Sequence, residues 1–252
     1  MIGVVGGVGP YAGIDLIKKI FDQTKADSDQ DHLPVSMLSV PHRIPDRTRF
    51  LLGQTDENPA LFISQVIRKL HECGASVVGI PCNAVHADPI FDEIVKRIPK
   101  EVNLLNMVKE VATTIRERHP SLVDVGVLST TGTWQARIYP TVLSEYGLNV
   151  IQVADPLQEN DVNPAIYRRD YGIKARSNPV STEAKAKLNR GIEHLVARGA
   201  RVIILGCTEI PLAIDEDCVD DVPLVDPTRI LARALIREFA PDRLAEQDLQ
   251  NG

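Results

Sequence analysis

With 252 residues, 44% of them hydrophobic and 25% charged, the chain has ample apolar material for a core and an ordinary globular composition. A net charge of −6 disfavours nucleic acid and anionic membrane surfaces as partners. No apolar run reaches the roughly 18 residues of a membrane span, so no membrane association is expected.

In chain order, Ile2–Gly6 reads as a strand, and Gly6–Gly7–Val8–Gly9–Pro10 turns it into a helix near Tyr11–Lys25. Pro10 suits the first helical position, where a missing N–H costs nothing. Val35–Val40 is a strand, followed by a long polar loop from Pro41 to Asn58. Pro59–Glu72 has helical spacing, Val77–Ile80 is a buried strand, His86–Arg97 is a helix, and Asn103–Leu105 closes a first lobe. Val108–Arg118 leads into a second lobe, which opens with Val123–Leu128 and Ser129–Thr130–Thr131–Gly132–Thr133. Trp134–Tyr146 is a helix broken at Pro140, Val150–Val153 is a strand, and Asp155–Pro179 is a second long loop. Ser181–Val196 is a helix with a loosely met capping signal, and Val202–Leu205 is a strand. Val222–Val225 and a helix Pro227–Phe239 are expected to return to the first lobe, and the polar tail Leu244–Gly252 to fray. This alternation predicts an α/β fold of mostly parallel sheets flanked by helices.

The chain also repeats itself. Gly74–Ala75–Ser76–Val77–Val78–Gly79–Ile80–Pro81–Cys82–Asn83 aligns with Gly199–Ala200–Arg201–Val202–Ile203–Ile204–Leu205–Gly206–Cys207–Thr208 at a constant offset of 125. Gly3–Val4–Val5 with Gly9 resembles Gly126–Val127–Leu128 with Gly132 at an offset of 123. Two similar lobes are expected, 1–106 plus 215–252 and 107–214, related by pseudo-twofold symmetry with the active site between them. Each copy ends on a cysteine. Two thiols on opposite sides of a cleft suit chemistry that takes a proton from one face of a carbon and returns it to the other.

Other uses of these residues have to be weighed. Gly7–x–Gly9–x–x–Ala12 fits a relaxed dinucleotide fingerprint, but the second strand ends Leu38–Ser39–Val40–Pro41–His42, with no carboxylate for a ribose. The loop better suits a nest of backbone N–H groups for a carboxylate. The commonest fate of a free cysteine is to be a small buried apolar residue, and Cys82 and Cys207 are open to that reading. Against it, both follow a strand where α/β sheets bind ligands, both are trailed by polar residues, and the repeat makes them equivalent. Cys73 and Cys218 lack such neighbours and read as structural. Cys82 and His86 have a C-x3-H spacing, looser than the usual paired zinc ligands, so no metal is expected. A Cys82–His86 nucleophile and base pair stays open but leaves Cys207 idle. The strand-like Ile2–Val5 has no basic, apolar leader ahead of it, so the four cysteines are expected as reduced thiols in a cytoplasmic protein.

Pro81–Cys82–Asn83–Ala84–Val85–His86 and Gly206–Cys207–Thr208–Glu209–Ile210–Pro211 resemble the two cysteine signatures of the aspartate/glutamate racemase superfamily. Gly6–Gly7–Val8–Gly9–Pro10, Ile44–Pro45–Asp46–Arg47–Thr48 and Tyr171–Gly172–Ile173–Lys174 resemble aspartate racemase motifs in the expected order, so the resemblance covers essentially the whole chain. Glutamate racemases carry an Asp-Ser opening, a Ser at the place of His86 and a His at the place of Glu209. All three positions here follow the aspartate type. One departure is Ala84, where the family has Thr or Ser, which removes a hydroxyl near Cys82.

The resemblance implies an amino-acid racemase that uses no cofactor and acts on aspartate, with glutamate or a broader range as the alternative. Cys82 and Cys207 would be its acid and base. Arg47 and Lys174 would grip the carboxylates of a small acidic amino acid. Gly9, Asn83, Thr131 and Thr208 would bind substrate and stabilise developing charge. His86 and Glu209 would orient groups or shuttle protons, helix N-termini after each cysteine would lower the thiol pKa, and the assembly would be a homodimer. Sister activities (maleate isomerase, hydantoin racemase, arylmalonate decarboxylase) fit the Arg47 and Lys174 pair and the second cysteine less well. A non-catalytic sensor of acidic ligands is the alternative from another class, and it would have no need of two equivalent thiols.

Overall fold

A computed structural model of the chain describes residues 1–246. Its strands form two sheets. β1 (Ile2–Gly6), β2 (Val35–Ser39), β3 (Val77–Gly79) and β4 (Asn103–Leu104) make an all-parallel sheet in the order β2-β1-β3-β4. β5 (Asp124–Leu128), β6 (Asn149–Gln152), β7 (Val202–Leu205), β8 (Cys218–Val219) and β9 (Val222–Val225) make the second, in the order β6-β5-β7-β9-β8. It too is parallel, apart from the β8–β9 pair at its edge. Parallel strands covered on both faces need continuous apolar runs, which is how Ile2–Gly6 and Val202–Leu205 read; every residue of both is buried.

Each sheet has its own core. The first unit is Met1–Glu110 rejoined by the chain from Thr228, and in it Ile2, Val4, Leu16, Ile20 and Val77 pack with Leu231, Leu235 and Ile236. The helix Pro10–Asp22 turns Ala12, Leu16 and Ile20 inward at a spacing of four, the pitch of a single helical stripe. The second unit is Val111–Pro227, with Leu128, Ile166, Ile173, Leu188, Ile192 and Ile203 in its core. Its helix Thr182–Ala197 is capped by Ser181, whose Oγ accepts the Ala184 N–H at 3.1 Å. Among the described residues no helix is long and apolar enough to cross a membrane.

Several expectations need correcting. The chain re-enters the first unit after residue 227, not at 215. Val222–Val225 belongs to the second sheet, because Leu224 and Val225 pair with Ile203 and Ile204. The earlier crossing falls inside the helix Met107–Arg118. Both expected loops hold helices. Arg47–Leu51 is one, started by Asp46, whose Oδ1 accepts the Arg49 N–H at 2.9 Å. The other loop contains Asp155–Leu157, a wide π turn Gln158–Val162, and Asn163–Tyr167; Pro156 and Pro164 stand at helix starts, where a missing N–H is harmless. Trp134–Tyr146 is two helices, Thr131–Gln135 and Ile138–Glu145, broken at Arg137 (φ 53°) and not at Pro140, which lies in the first turn of the second. Leu244 does not fray but bridges Thr24, while the expected tail from residue 247 onward lies outside the described residues. Cys73 and Cys218, read as structural, are exposed.

Candidate active site

β3 is an inner strand, and its carboxyl end is where parallel sheets present ligand sites. There Ile80–Pro81 leads to Cys82, which is 7% exposed. The Ile80 carbonyl accepts the Cys82 N–H at 2.8 Å, and the Cys82 carbonyl accepts the Val85 N–H at 3.2 Å, opening a 3-10 turn over Asn83–His86. His86, 1% exposed, donates from Nε2 to the same Ile80 carbonyl at 3.1 Å. A carbonyl can only accept, so the ring proton sits on Nε2 and Nδ1 keeps a lone pair with no hydrogen-bond partner among the described residues. Burial drives the His86 pKa down to about 4 against the pull of the Ile80 carbonyl, and the ring is neutral near neutral pH. His86 makes no hydrogen bond to the Cys82 thiol, so the geometry is that of a strut bracing the turn rather than the base of a Cys–His pair.

The loop after β1 lies in the same unit. Gly7 has φ 84°, and a Cβ there would stand 2.8 Å from the Pro41 nitrogen, so the turn requires glycine. The Gly9 carbonyl accepts the Gly13 N–H at 3.1 Å, the first bond of the following helix. Arg47 reaches this loop: its Nη2 donates to the Val8 carbonyl at 3.0 Å and its Nη1 to Pro45 at 3.4 Å. Arg47 is thus tied to the glycine loop, not set on open surface.

The second unit repeats the local pattern. β7 is the central strand of its sheet, followed by Gly206 and then Cys207, again 7% exposed. The Cys207 carbonyl accepts the Ile210 N–H at 2.9 Å, the counterpart of the Val85 bond at Cys82. The thiol donates to Glu209 Oε2 at 3.0 Å, and Glu209 Oε1 lies 2.6 Å from Lys174 Nζ. Lys174 leaves a turn that doubles back on the helix Asn163–Tyr167: its N–H donates to Ile166 at 3.1 Å, and that of Ile173 to Ala165 at 2.9 Å. Gly172 permits the close return, since a Cβ there would meet the Arg168 backbone at 2.6 Å. Burial works against the Lys174 charge, but the Glu209 carboxylate, with Cys207 and Tyr167, holds its pKa above the usual lysine range. Burial pushes the Cys207 thiol pKa well up, Glu209 pushes it further, and Lys174 pulls the other way. The expected acidification by helix N-termini is therefore absent at Cys207, and neither thiol is followed by more than a 3-10 turn of three or four residues.

Of the remaining expected residues, Asn83 and Thr208 are buried beside their cysteines. Thr131 starts the helix Thr131–Gln135, its hydroxyl donating to Glu159 Oε1 at 2.8 Å and its N–H to Asn163 Oδ1 at 3.4 Å. The sequence reading missed Tyr139, 1% exposed, whose hydroxyl pKa is raised by burial and by the charges of Cys207 and Asp226. It lies in an apolar helical stretch, where an aromatic residue reads as core. The Cys82–His86 spacing does not grow into a metal site: among the described residues no three His, Cys, Asp or Glu side chains could hold an ion.

Comparison with known proteins adds a second line of observation. The Asp/Glu/Hydantoin racemase family profile matches residues 5–235. The broad specificity amino-acid racemase RacX of Bacillus subtilis (strain 168) is 28% identical over 247 residues, 95% of this chain and 98% of that protein. The glutamate racemase of Stutzerimonas stutzeri (strain A1501) is 26% identical over 247 residues, 94% of this chain and 80% of that one. Among solved structures, the Picrophilus torridus aspartate racemase superposes with a TM-score of 0.79 at 26% identity, covering 97% of this chain and 95% of its own.

Proposed function

Because the chain belongs to the Asp/Glu/Hydantoin racemase family, we propose that it interconverts L- and D-aspartate with two thiols and no cofactor. The observation that carries this reading is the pair of buried cysteines. Each follows an inner parallel strand, and each opens the same turn, with its carbonyl taking the N–H three residues on. In the resting protein Cys207 is the acid, since burial and Glu209 keep its proton in place. Cys82 is then the base that takes the α-proton of one enantiomer while Cys207 protonates the opposite face, and the other enantiomer uses the roles reversed. An α-proton beside a carboxylate is weakly acidic, so developing charge has to meet donors aimed in advance. Asn83, Thr208, Thr131 and the backbone at Gly9 supply them, and Arg47 and Lys174 supply cations for the two substrate carboxylates. A cytoplasmic homodimer belongs to the same reading.

Aspartate is favoured over glutamate by His86 and Glu209 beside the two cysteines and by the fold shared with the Picrophilus torridus aspartate racemase. A broader substrate range is the second reading, supported by the likeness to RacX and by Ala84, which leaves no hydroxyl next to Asn83. The test is loss of optical rotation from L-aspartate, with L-glutamate in parallel, in D2O without added cofactor. Racemisation with deuterium entering at Cα is the expected result, and the ratio of rates separates the two readings. A Cys82→Ser variant is expected to lose racemisation while still binding aspartate. Full turnover in that variant would sink the two-thiol assignment.

A further inference from the structure

One carboxylate joins two groups that the reading above uses separately. Glu209 Oε1 takes Lys174 Nζ at 2.6 Å and Glu209 Oε2 takes the Cys207 thiol at 3.0 Å. We propose that Lys174 is a positioning residue for Cys207, acting through Glu209 to set how readily the thiol gives up its proton, in addition to its role toward substrate.

The physical case starts from Glu209, which is 4% exposed. A buried carboxylate without a cation is strongly disfavoured, so the Lys174 contact is what keeps Glu209 ionised in place. An ionised Glu209 accepts the thiol proton and repels a thiolate, while the Lys174 ammonium attracts one. The two neighbours therefore act on Cys207 with opposite signs. The other titratable group set against the thiol is Tyr139, from the helix Ile138–Glu145 with Asp226 beside it; its hydroxyl stays protonated at working pH, so it adds no charge of its own. Lys174 is delivered by structure, not by chance: buried Ile173 anchors the residue before it, and Gly172 lets the turn close. A cation placed solely to grip a ligand would gain nothing from being matched to an internal carboxylate that also holds the reacting thiol.

This inference rests on the assignment of Cys207 as a reacting thiol, but it can be tested without substrate. In a Cys82→Ser background, the rate at which iodoacetamide alkylates Cys207, resolved by peptide mass at one mildly alkaline pH, reports the thiolate fraction. One unit of pKa is about a tenfold change in that fraction. Glu209→Gln is expected to speed alkylation roughly tenfold and Lys174→Met to slow it at least about threefold, with Lys174→Arg close to the parent. The double variant should depart from the sum of the two, as contacting groups in one network do. If Lys174→Met alkylates at the parental rate or faster, the proposal is overturned and Lys174 serves substrate alone. Should Lys174→Met fail to fold, Glu209→Gln carries the decision, and an unchanged ultraviolet thiolate titration of that variant overturns the coupling. Loss of aspartate racemisation in the D2O assay would refute the aspartate reading without moving these alkylation rates, so the two failures are separable.

Discussion

At Cys207 and at His86 the same force, burial, has opposite chemical results. It keeps a proton on the thiol and keeps one off the imidazole. For His86 this has a measurable cost in acid. The unfolded chain takes a proton on this ring near pH 6.5 and the folded protein only near 4, so the unfolded state binds more protons between those values. Stability is therefore expected to fall as pH drops from 6.5 to 4 and to level off below, by about 3 kcal/mol at most if this ring alone titrated. Urea midpoints measured in steps across that window check it. His86→Gln, which keeps an N–H for the Ile80 carbonyl but has nothing to titrate, should flatten the curve; a slope as steep as the parent's would assign the acid sensitivity elsewhere. The cysteines and their polar followers were legible as residue types in the repeat. The meeting of Lys174 with Glu209 was not, because 35 positions separate them and only the folding-back of the intervening chain joins them.

That folding-back is a matter of elements. Residues 155–179 read as a loop because Pro156, Pro164 and a run of polar residues mask the helical pieces; both prolines are helix-compatible only because they stand at helix starts. The same ambiguity hid Arg47–Leu51 and moved the break in Trp134–Tyr146 from Pro140 to the left-handed Arg137. The long amphipathic helices and the apolar strands were legible with ends shifted by one to three residues, since periodicity marks a face more sharply than an end. At this scale the Gly172 turn is the sensitive point. Gly172→Ala would bring a methyl to 2.6 Å from the Arg168 backbone, where no flexible side chain can yield. The turn must open, taking Lys174 with it. Expected is a loss of at least about tenfold in kcat/KM, equal to some 1.4 kcal/mol of lost transition-state stabilisation, with the circular dichroism of the parent. Parental kinetics in that variant would show that the turn has room the structure does not display.

For the whole molecule, the sheet to which Val222–Val225 belongs could not be read from four residues, since a short apolar strand fits either sheet and its pairing with β7 decides. The helix Pro227–Phe239 does return to the first unit, as the sequence suggested, and it packs where it matters. The space beside Gly79 in β3 is filled by Leu235 and Leu231, and three residues further on stands Cys82. Leu235→Ala, at a position with no exposure, is expected to lower stability by about 2–5 kcal/mol, read from urea unfolding. A loss under about 0.5 kcal/mol, the range of a surface substitution, would mean the helix is not a structural part of that core.

The first unit is thus sewn from two stretches of chain, with the second unit inserted between them. On a ribosome this inverts the order of events. All of 111–227 is made before the helix that covers β3, so the half bearing Cys207 can finish folding while the half bearing Cys82, though synthesised first, waits with Ile2, Val4 and Val77 uncovered. The nascent first half is then the stretch that chaperones must shield, and the competence of Cys82 is among the last things the growing chain acquires.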